Sequence, residues 1–458
     1  MKVLRSIVIV VFAAVVFVPI VLFNWAPNSV SAIDNRVLTE NPFTQPTTDD
    51  LTNDIENYVS DRIGLRDEMI LAYTVLNDKT FGKMVHPSYT YGTDGYVFGE
   101  GITTSDSFSD YHVAFADMVL ALQTYCEERD VPFLFVFNPA KPAVLTEHLN
   151  SGINYDRTWV DRFFAELDSR GVNYVDNTVT LRDATANGAV VFNKKYDANH
   201  WNDLGAFYGT NAMLQALQTR LPSTHVNTLE EFTVGEQTMT SLPVSNFPIN
   251  EQVPQMALKV PLTDLTDQYK PSLTMHPSYR TFGYYINEQR QAESSLAALV
   301  FQGSYMNVYG YKYLQNAFGE YAMVHDYQNV MDLPYYFNIF KPDCVIFEVA
   351  EYTFSNGYFS YETMKNIDYN KPLSAYADAR KQTASKAAEL TVSEGETLTE
   401  IVWKTDAEAE CAWLLLGDEY DMKRTDGGYA ATVKTEVYRR HADTLSIVSY
   451  ADGILTRQ

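Results

Sequence analysis

Apolar residues along this chain follow two rhythms. From His112 to Arg129 they recur at three- and four-residue intervals, which predicts an amphipathic helix. VPFLFVFNP (131–139) follows as an unbroken apolar run, the pattern of a strand covered on both faces. The pair repeats. A helical stretch over 157–170 leads into VNYVD (172–176), and a further helix is expected over 203–220. Strand 296–301, helix 305–318, strand-like YAMVHD (321–326), a helix around 328–340 and strand CVIFEVAEY (344–352) complete the series. Alternating helices and buried strands predict an α/β fold, a doubly wound parallel sheet with right-handed crossovers.

Three stretches break the pattern. Residues 222–280 are rich in Thr, Pro and Ser, and read as an insertion or excursion off the sheet. From about Lys381 the chain turns to short alternating strands with turn signals at Glu394-Gly395, Asp426-Gly427-Gly428 and Asp452-Gly453. That predicts a small β-sandwich-like domain over 381–458, an accessory module for carbohydrate binding or packing. At the amino end, Lys2 and Arg5 precede an uncharged run from Ser6 to Phe23, close to the roughly 20 residues that span a bilayer. The flanking positive charges favour a cytoplasmic amino terminus with the remainder outside. The expected organisation is therefore a signal anchor and linker (1–32), a catalytic domain (33–375) and the β-rich domain (381–458). Val30-Ser31-Ala32 offers the alternative, a cleaved signal peptide and a secreted protein. Between these landmarks, 61–82 reads as an amphipathic helix broken at Gly64, and 91–101 as turn-rich.

Charge and composition narrow the chemistry. A net charge of −24 without Lys/Arg clusters argues against nucleic acid. Cys126, Cys344 and Cys411 form no CxxC, and His86, His112, His148, His225, His276, His325 and His441 lack ligand spacing, so neither a metal nor a cofactor is expected.

The informative segments are KKYDANHWNDLGA (194–206) and SLAALVFQGSYMN (295–307). In the first, Asp197 stands three residues before His200 at the entrance to a helix. A carboxylate at that spacing can hold one imidazole nitrogen and leave the other free as a base. In the second, a buried strand ends in a Gly-Ser turn before a helix, which presents Ser304 at the carboxyl end of the strand. Together they suit nucleophilic acyl transfer, with backbone amides at Ser304 or Tyr305 as oxyanion donors. The bland readings are a helix-entry His200 packed on Trp201, a helix-capping Ser304 and a loop-capping Asp197. Asn138 and Lys141, in FNPAKP, fall where this fold puts site loops; Tyr305 and Trp201 complete the candidate substrate-binding or oxyanion residues. Glu348 and Glu351 could suggest glycosidase work, but no second motif supports it.

In order, NRVL near residue 35, ENYVSDRIGLR, YGTDGYVF, FNPAKPAVL, YVDNTVTLRD, YDANHWNDLGA, LVFQGSYMN and KPDCVIFEVAEYTF resemble the DHHW proteins and the wider SGNH-hydrolase-like acyltransferases, the alginate O-acetyltransferases among them. The resemblance runs over roughly 33–355. It implies an extracytoplasmic, tethered or secreted enzyme with Ser304 as nucleophile, His200 as base and Asp197 as its partner. It also implies a polysaccharide acceptor and a membrane-bound O-acyltransferase supplying the acyl group. Two departures stand out. The name motif appears here as Ala198-Asn199-His200-Trp201, with the acid three residues before the His, and the usual Gly-Asp-Ser turn is Gln302-Gly303-Ser304. The His segment also precedes the Ser segment, as in the permuted acetyltransferase branch. The expectation is an O-acetyltransferase of a cell-surface or secreted polysaccharide. The alternatives are a carbohydrate esterase with the same triad, and a non-catalytic polysaccharide-binding or assembly protein.

Overall fold

The computed structural model describes the chain apart from residues 1, 32, 34, 35, 45–49, 87, 100–106, 244–246, 386 and 407. Ala32 of the alternative cleavage site, Asn35 of the first motif and Glu100-Gly101 of the turn-rich stretch lie outside the described residues.

The apolar run at the amino end is helix α1 (Lys2–Val21), with a mean hydropathy of 2.7 and nearly all of its surface exposed. It is long and apolar enough to cross a membrane. Two further helices follow, α2 (Leu51–Arg62) and α3 (Arg66–Phe81), broken at Gly64 as the sequence suggests. Backbone of Leu22 occupies the space that a Cβ at Gly64 would need, so only glycine fits there.

The alternating segments then build one sheet. In chain order they are α4 (Asp110–Glu127), β1 (Phe133–Asn138), α5 (Thr158–Arg170), β2 (Tyr174–Asp176), α6 (Asn177–Ala186) and α7 (Asp203–Gln218). A long hairpin comes next, β3 (Phe232–Ser241) and β4 (Pro248–Leu258), then β5 (Thr263–Asp264) and β6 (Phe282–Ile286). The remainder is β7 (Ala297–Gln302), α8 (Tyr311–Ala317), β8 (Glu320–His325), α9 (Leu333–Phe340) and β9 (Cys344–Ala350). The strand order is β2-β1-β9-β7-β8-β6-β5. The first five strands are parallel, and β6 and β5 join antiparallel at one edge. The segment expected to leave the sheet thus divides, since its hairpin stands apart while β5 extends the sheet edge.

Alternation along each strand sorts the core into two layers. Phe133, Phe135, Phe137, Phe301, Val345 and Phe347 face one side with α4, α5 and α9. Leu134, Val136, Val300, Cys344 and Ile346 face the other with α7 and α8. Phe115 of α4 is fully buried among Phe135, Phe163, Phe347, Phe354 and Phe359. Truncating it to Ala would cost about 3–5 kcal/mol. With both faces covered, the carboxyl ends of β1, β9 and β7 are left as the place where loops can hold a site.

The carboxyl-terminal region is strand-rich, as expected. Strands β10 (Arg380–Thr383), β11 (Glu389–Glu394), β12 (Leu398–Lys404), β13 (Cys411–Leu415), β14 (Glu419–Asp421), β15 (Lys423–Thr425) and β16 (Gly428–Lys434) precede helix α10 (Thr435–His441). Strands β17 (Ser446–Ala451) and β18 (Ile454–Arg457) end the chain, giving a five-stranded sheet (β10-β18-β17-β13-β14) and a four-stranded one (β11-β12-β16-β15). Ile401, Trp403, Leu414, Leu416, Val433 and Ile447 fill the space between them. Asp421 ties this region to the sheet domain: its carboxylate accepts from Arg129 Nη2 at 3.0 Å and from the Tyr125 hydroxyl, and its backbone pairs with the Asn338 amide.

Candidate active site

The loop before α7 is set by its own carboxylate. Asp197 takes a left-handed backbone (φ 55°), and its Oδ1 accepts the His200 N–H at 3.0 Å and the Asn199 N–H at 3.3 Å. The same carboxylate stands 2.8 and 3.0 Å from His200 Nδ1, so that nitrogen carries the proton and donates. His200 Nε2 has no hydrogen-bond partner among the described residues. Burial opposes charge on both groups, but their mutual attraction outweighs it. Asp197 is held below the usual carboxylate range and His200 above its ordinary value of 6.5.

A second carboxylate, which the sequence reading missed, shapes this loop from the hairpin. Glu251 on β4 accepts the backbone N–H groups of Lys194, Lys195 and Tyr196 at 2.7, 2.9 and 2.6 Å. The Thr-, Pro- and Ser-rich segment therefore serves the site. Nothing in its local pattern singles out Glu251.

Ser304 follows β7 after the single residue Gly303, and its Oγ lies 3.3 Å from the Tyr352 hydroxyl. Tyr352, just beyond β9, also places its ring 6.5 Å from the His200 ring, so one side chain touches both halves of the candidate machinery. The expected Ser304–His200 hydrogen bond is not made in this conformation. Burial keeps the Tyr352 phenol protonated far above its ordinary range.

Trp201 and Tyr305 lace the two segments together. Trp201 Nε1–H donates to the Tyr305 carbonyl at 3.0 Å, and the Tyr305 hydroxyl reaches the carbonyls of Pro139 (2.6 Å) and Asn199 (2.8 Å). Both side chains are fully buried and present no surface to a ligand, so packing is what they do in this structure. The turn after Ser304 opens as a π-type turn, Met306–Gly310, where a regular helix was expected.

Asn138 and Lys141 are fully buried as well. Asn138 Nδ2 donates to Glu348 Oε1 at 2.7 Å, and its Oδ1 accepts from Asn177 Nδ2 at 2.7 Å. Lys141 Nζ donates to the Val97 carbonyl at 2.8 Å, and burial pulls its ammonium down to about 7. Glu348 lies under the nucleophile turn. Its Oε2 accepts the Gly303 N–H at 2.8 Å, and burial, followed by the charge of Asp326, pushes its carboxyl up to about 8. Glu351 accepts the Ala140 N–H (3.0 Å) and pairs with Arg157 (3.0 Å), which fixes the loop after β1. Asp326 is fully buried, its Oδ1 stands 3.1 Å from His325 Nδ1 without a well-aligned hydrogen bond, and burial raises it far above the carboxylate range. It lies against Gly303, where a Cβ would sit 3.3 Å from Oδ2. An Asp at 303 would crowd a carboxyl already in place, a physical reason for the departure from Gly-Asp-Ser.

Residues 91–271 match the family model for the SGNH hydrolase-like domain of the acetyltransferase AlgX, a stretch that takes in Asn138, Lys141, Asp197, His200 and Trp201 and ends before Ser304. No curated protein sequence matches the chain. Among solved structures, the chain is similar to the O-acetyltransferase domain of Pseudomonas putida AlgJ at 14% identity, over 61% of this chain and 99% of that one, with a TM-score of 0.43. For Bacillus cereus PatB1 the values are 14%, 61%, 100% and 0.46. For a DHHW family protein from Eubacterium siraeum they are 13%, 63%, 98% and 0.43. The match over 91–271 agrees with the resemblance read from the sequence and gives that stretch an SGNH hydrolase-like domain, to which the strand-rich carboxyl-terminal region is additional.

Proposed function

We propose that this protein is an extracytoplasmic O-acetyltransferase, tethered by α1, that modifies hydroxyls of a cell-surface or secreted polysaccharide. The observation that carries the reading is the Asp197–His200 pair with Nε2 unpartnered, on a loop bound through Trp201 and Tyr305 to the turn bearing Ser304. Ser304 Oγ rotates from Tyr352 to His200, giving up one hydrogen bond worth about 1 kcal/mol. It then attacks the acetyl carbonyl of the donor while its proton passes to Nε2. The Tyr352 hydroxyl, 3.3 Å from Oγ, and the Ser304 and Tyr305 amides are the donors for the developing oxyanion. His200 returns the proton to the leaving group, and acetyl-Ser304 remains. A sugar hydroxyl then loses its proton to His200 and takes the acetyl group, which restores Ser304. A membrane-bound O-acyltransferase is the proposed source of the donor.

The test is acetyl release from an ester reporter by the wild type, Ser304→Ala and His200→Ala, each first shown to be folded by thermal unfolding. Loss of roughly 10³-fold or more in both variants is expected. Equal turnover in all three would sink the triad. Adding an oligosaccharide acceptor and weighing it by mass spectrometry separates transfer from hydrolysis. An unmodified acceptor with free acetate accumulating would favour the esterase.

A further inference from the structure

Helix α3 has two apolar faces. Leu71 and Val75 pack into the cluster of Ala198, Leu242 and Phe247, and on the same side Asp78 accepts from the Tyr91 hydroxyl at 2.7 Å. About half a turn round the helix, Met69, Tyr73 and Leu76 are 44, 57 and 62% exposed, and Leu65, just before the helix in a left-handed backbone (φ 61°), is 43% exposed. The three- and four-residue spacing of Met69, Tyr73 and Leu76 sets them on one stripe without a charged side chain, with Glu68 and Lys79 on one flank and Arg66 on the other.

The neighbouring end of α1 indicates what covers this stripe. The Gly64 N–H donates to the Pro19 carbonyl at 2.9 Å, and the Asn24 N–H to the Arg62 carbonyl at 2.8 Å. Arg62, itself buried, binds the Ala26 carbonyl at 2.6 Å, the Thr39 carbonyl at 2.6 Å and Glu40 at 2.8 Å. The chain leaving α1 is thus bonded to the corner between α2 and α3. At the same junction Phe23 lies 4.5 Å from Trp25 and 5.5 Å from Tyr58, ring centre to ring centre. Aromatic groups of this kind collect at the edge of the hydrocarbon layer. A chain of net charge −24 gains little from anionic headgroups, so a lipid contact here would have to be apolar.

We infer that the outer face of α3 lies in the interfacial layer of the bilayer that α1 crosses, and that lipid covers Leu65, Met69, Tyr73 and Leu76. The inference rests on reading α1 as an uncleaved span. Its consequence is positional. The inner face of the same helix belongs to the cluster containing Ala198, two residues from His200, so about one helix diameter, roughly 10 Å, separates the lipid from that cluster.

The experiment uses the full chain in neutral phosphatidylcholine vesicles, in a Cys411→Ser background, because Cys126 and Cys344 are buried. Met69→Cys, Leu76→Cys and, as control on the strand-rich domain, Lys404→Cys carry an environment-sensitive fluorophore. Blue-shifted emission and several-fold quenching by lipid-borne spin labels at 69 and 76, with neither at 404, is the expected result. Labels at 69 and 76 as wet as the control, in protein that resists alkaline extraction, would overturn the inference while leaving the anchor intact. Release of the protein by alkaline extraction would remove the anchor reading, and this inference with it. Emission shifts that follow protein concentration and ignore the lipid quencher would assign the face to a second copy, also against the inference.

Discussion

Glu348 Oε2 accepts the Gly303 N–H at 2.8 Å while its Oε1 holds Asn138 at 2.7 Å, so one buried carboxyl fixes both the residue before the nucleophile and the end of the neighbouring strand. Glu348→Gln keeps the shape but turns an amide N–H₂ toward one of these donors. The expected loss is about 1–3 kcal/mol in stability and on the order of tenfold in turnover. Thermal unfolding and reporter kinetics check both, and unchanged values would mean that the turn holds itself.

The raised Glu348 carboxyl also gives stability a pH slope. A group whose folded pKa exceeds its unfolded one contributes stability in full below the unfolded value, and loses it as pH rises through the folded value. For Glu348 that window runs from about 4.5 to about 8, and Asp326 and His200, both raised, act with the same sign. His325, pulled down to about 4 by burial, opposes them below 6.5. Lys141, pulled down to about 7 by burial, opposes them above that value, so the clean interval is pH 6.5 to 7, where the melting temperature of the wild type should fall. The fall should be shallower in Glu348→Gln.

Activity should rise with pH, because the base form of His200 does the work. The inflection should lie above 6.5, since Asp197 favours the protonated ring against the pull of burial. Asp197→Asn should move it downward and slow the reaction by about 10²–10⁴-fold. An unshifted profile for kcat/KM would show that Asp197 does not set the state of His200.

Tyr352→Phe removes the hydroxyl beside Ser304 Oγ and little else. Losing one oxyanion donor costs about 10²–10³ in kcat, with KM nearly constant. A change confined to KM would make Tyr352 a binding residue.

Gly303→Asp, which restores the familiar Gly-Asp-Ser spelling, should reduce both stability and activity because the new side chain starts 3.3 Å from Asp326 Oδ2. Pairing it with Asp326→Ser should recover part of the loss, a coupling that a double-mutant cycle would measure.

The parallel strands and their helices were legible in the sequence because each must hide apolar residues at its own period. Helix α6 and strand β6 were not. NTVTLRDATA buries only a few side chains and begins on the Asp176 cap, and FGYYI joins the sheet by antiparallel pairing that has no signature of its own. The Asp197–His200 contact was legible too, being three residues long and made inside one turn.

By itself the sequence determined what short-range chemistry decides: the apolar span, the alternation of helices and strands, the strand-rich tail, and a carboxylate beside an imidazole. Tertiary structure alone decided which distant groups meet. Glu251 reaches the His loop across 55 to 57 residues, Tyr352 meets Ser304 across 48, and Glu348 meets Asn138 across 210. It also decided that Trp201, Tyr305, Asn138 and Lys141 would be buried as bracing. Such pairings depend on strand order and on the volume left between layers, and neither leaves a local trace in the chain.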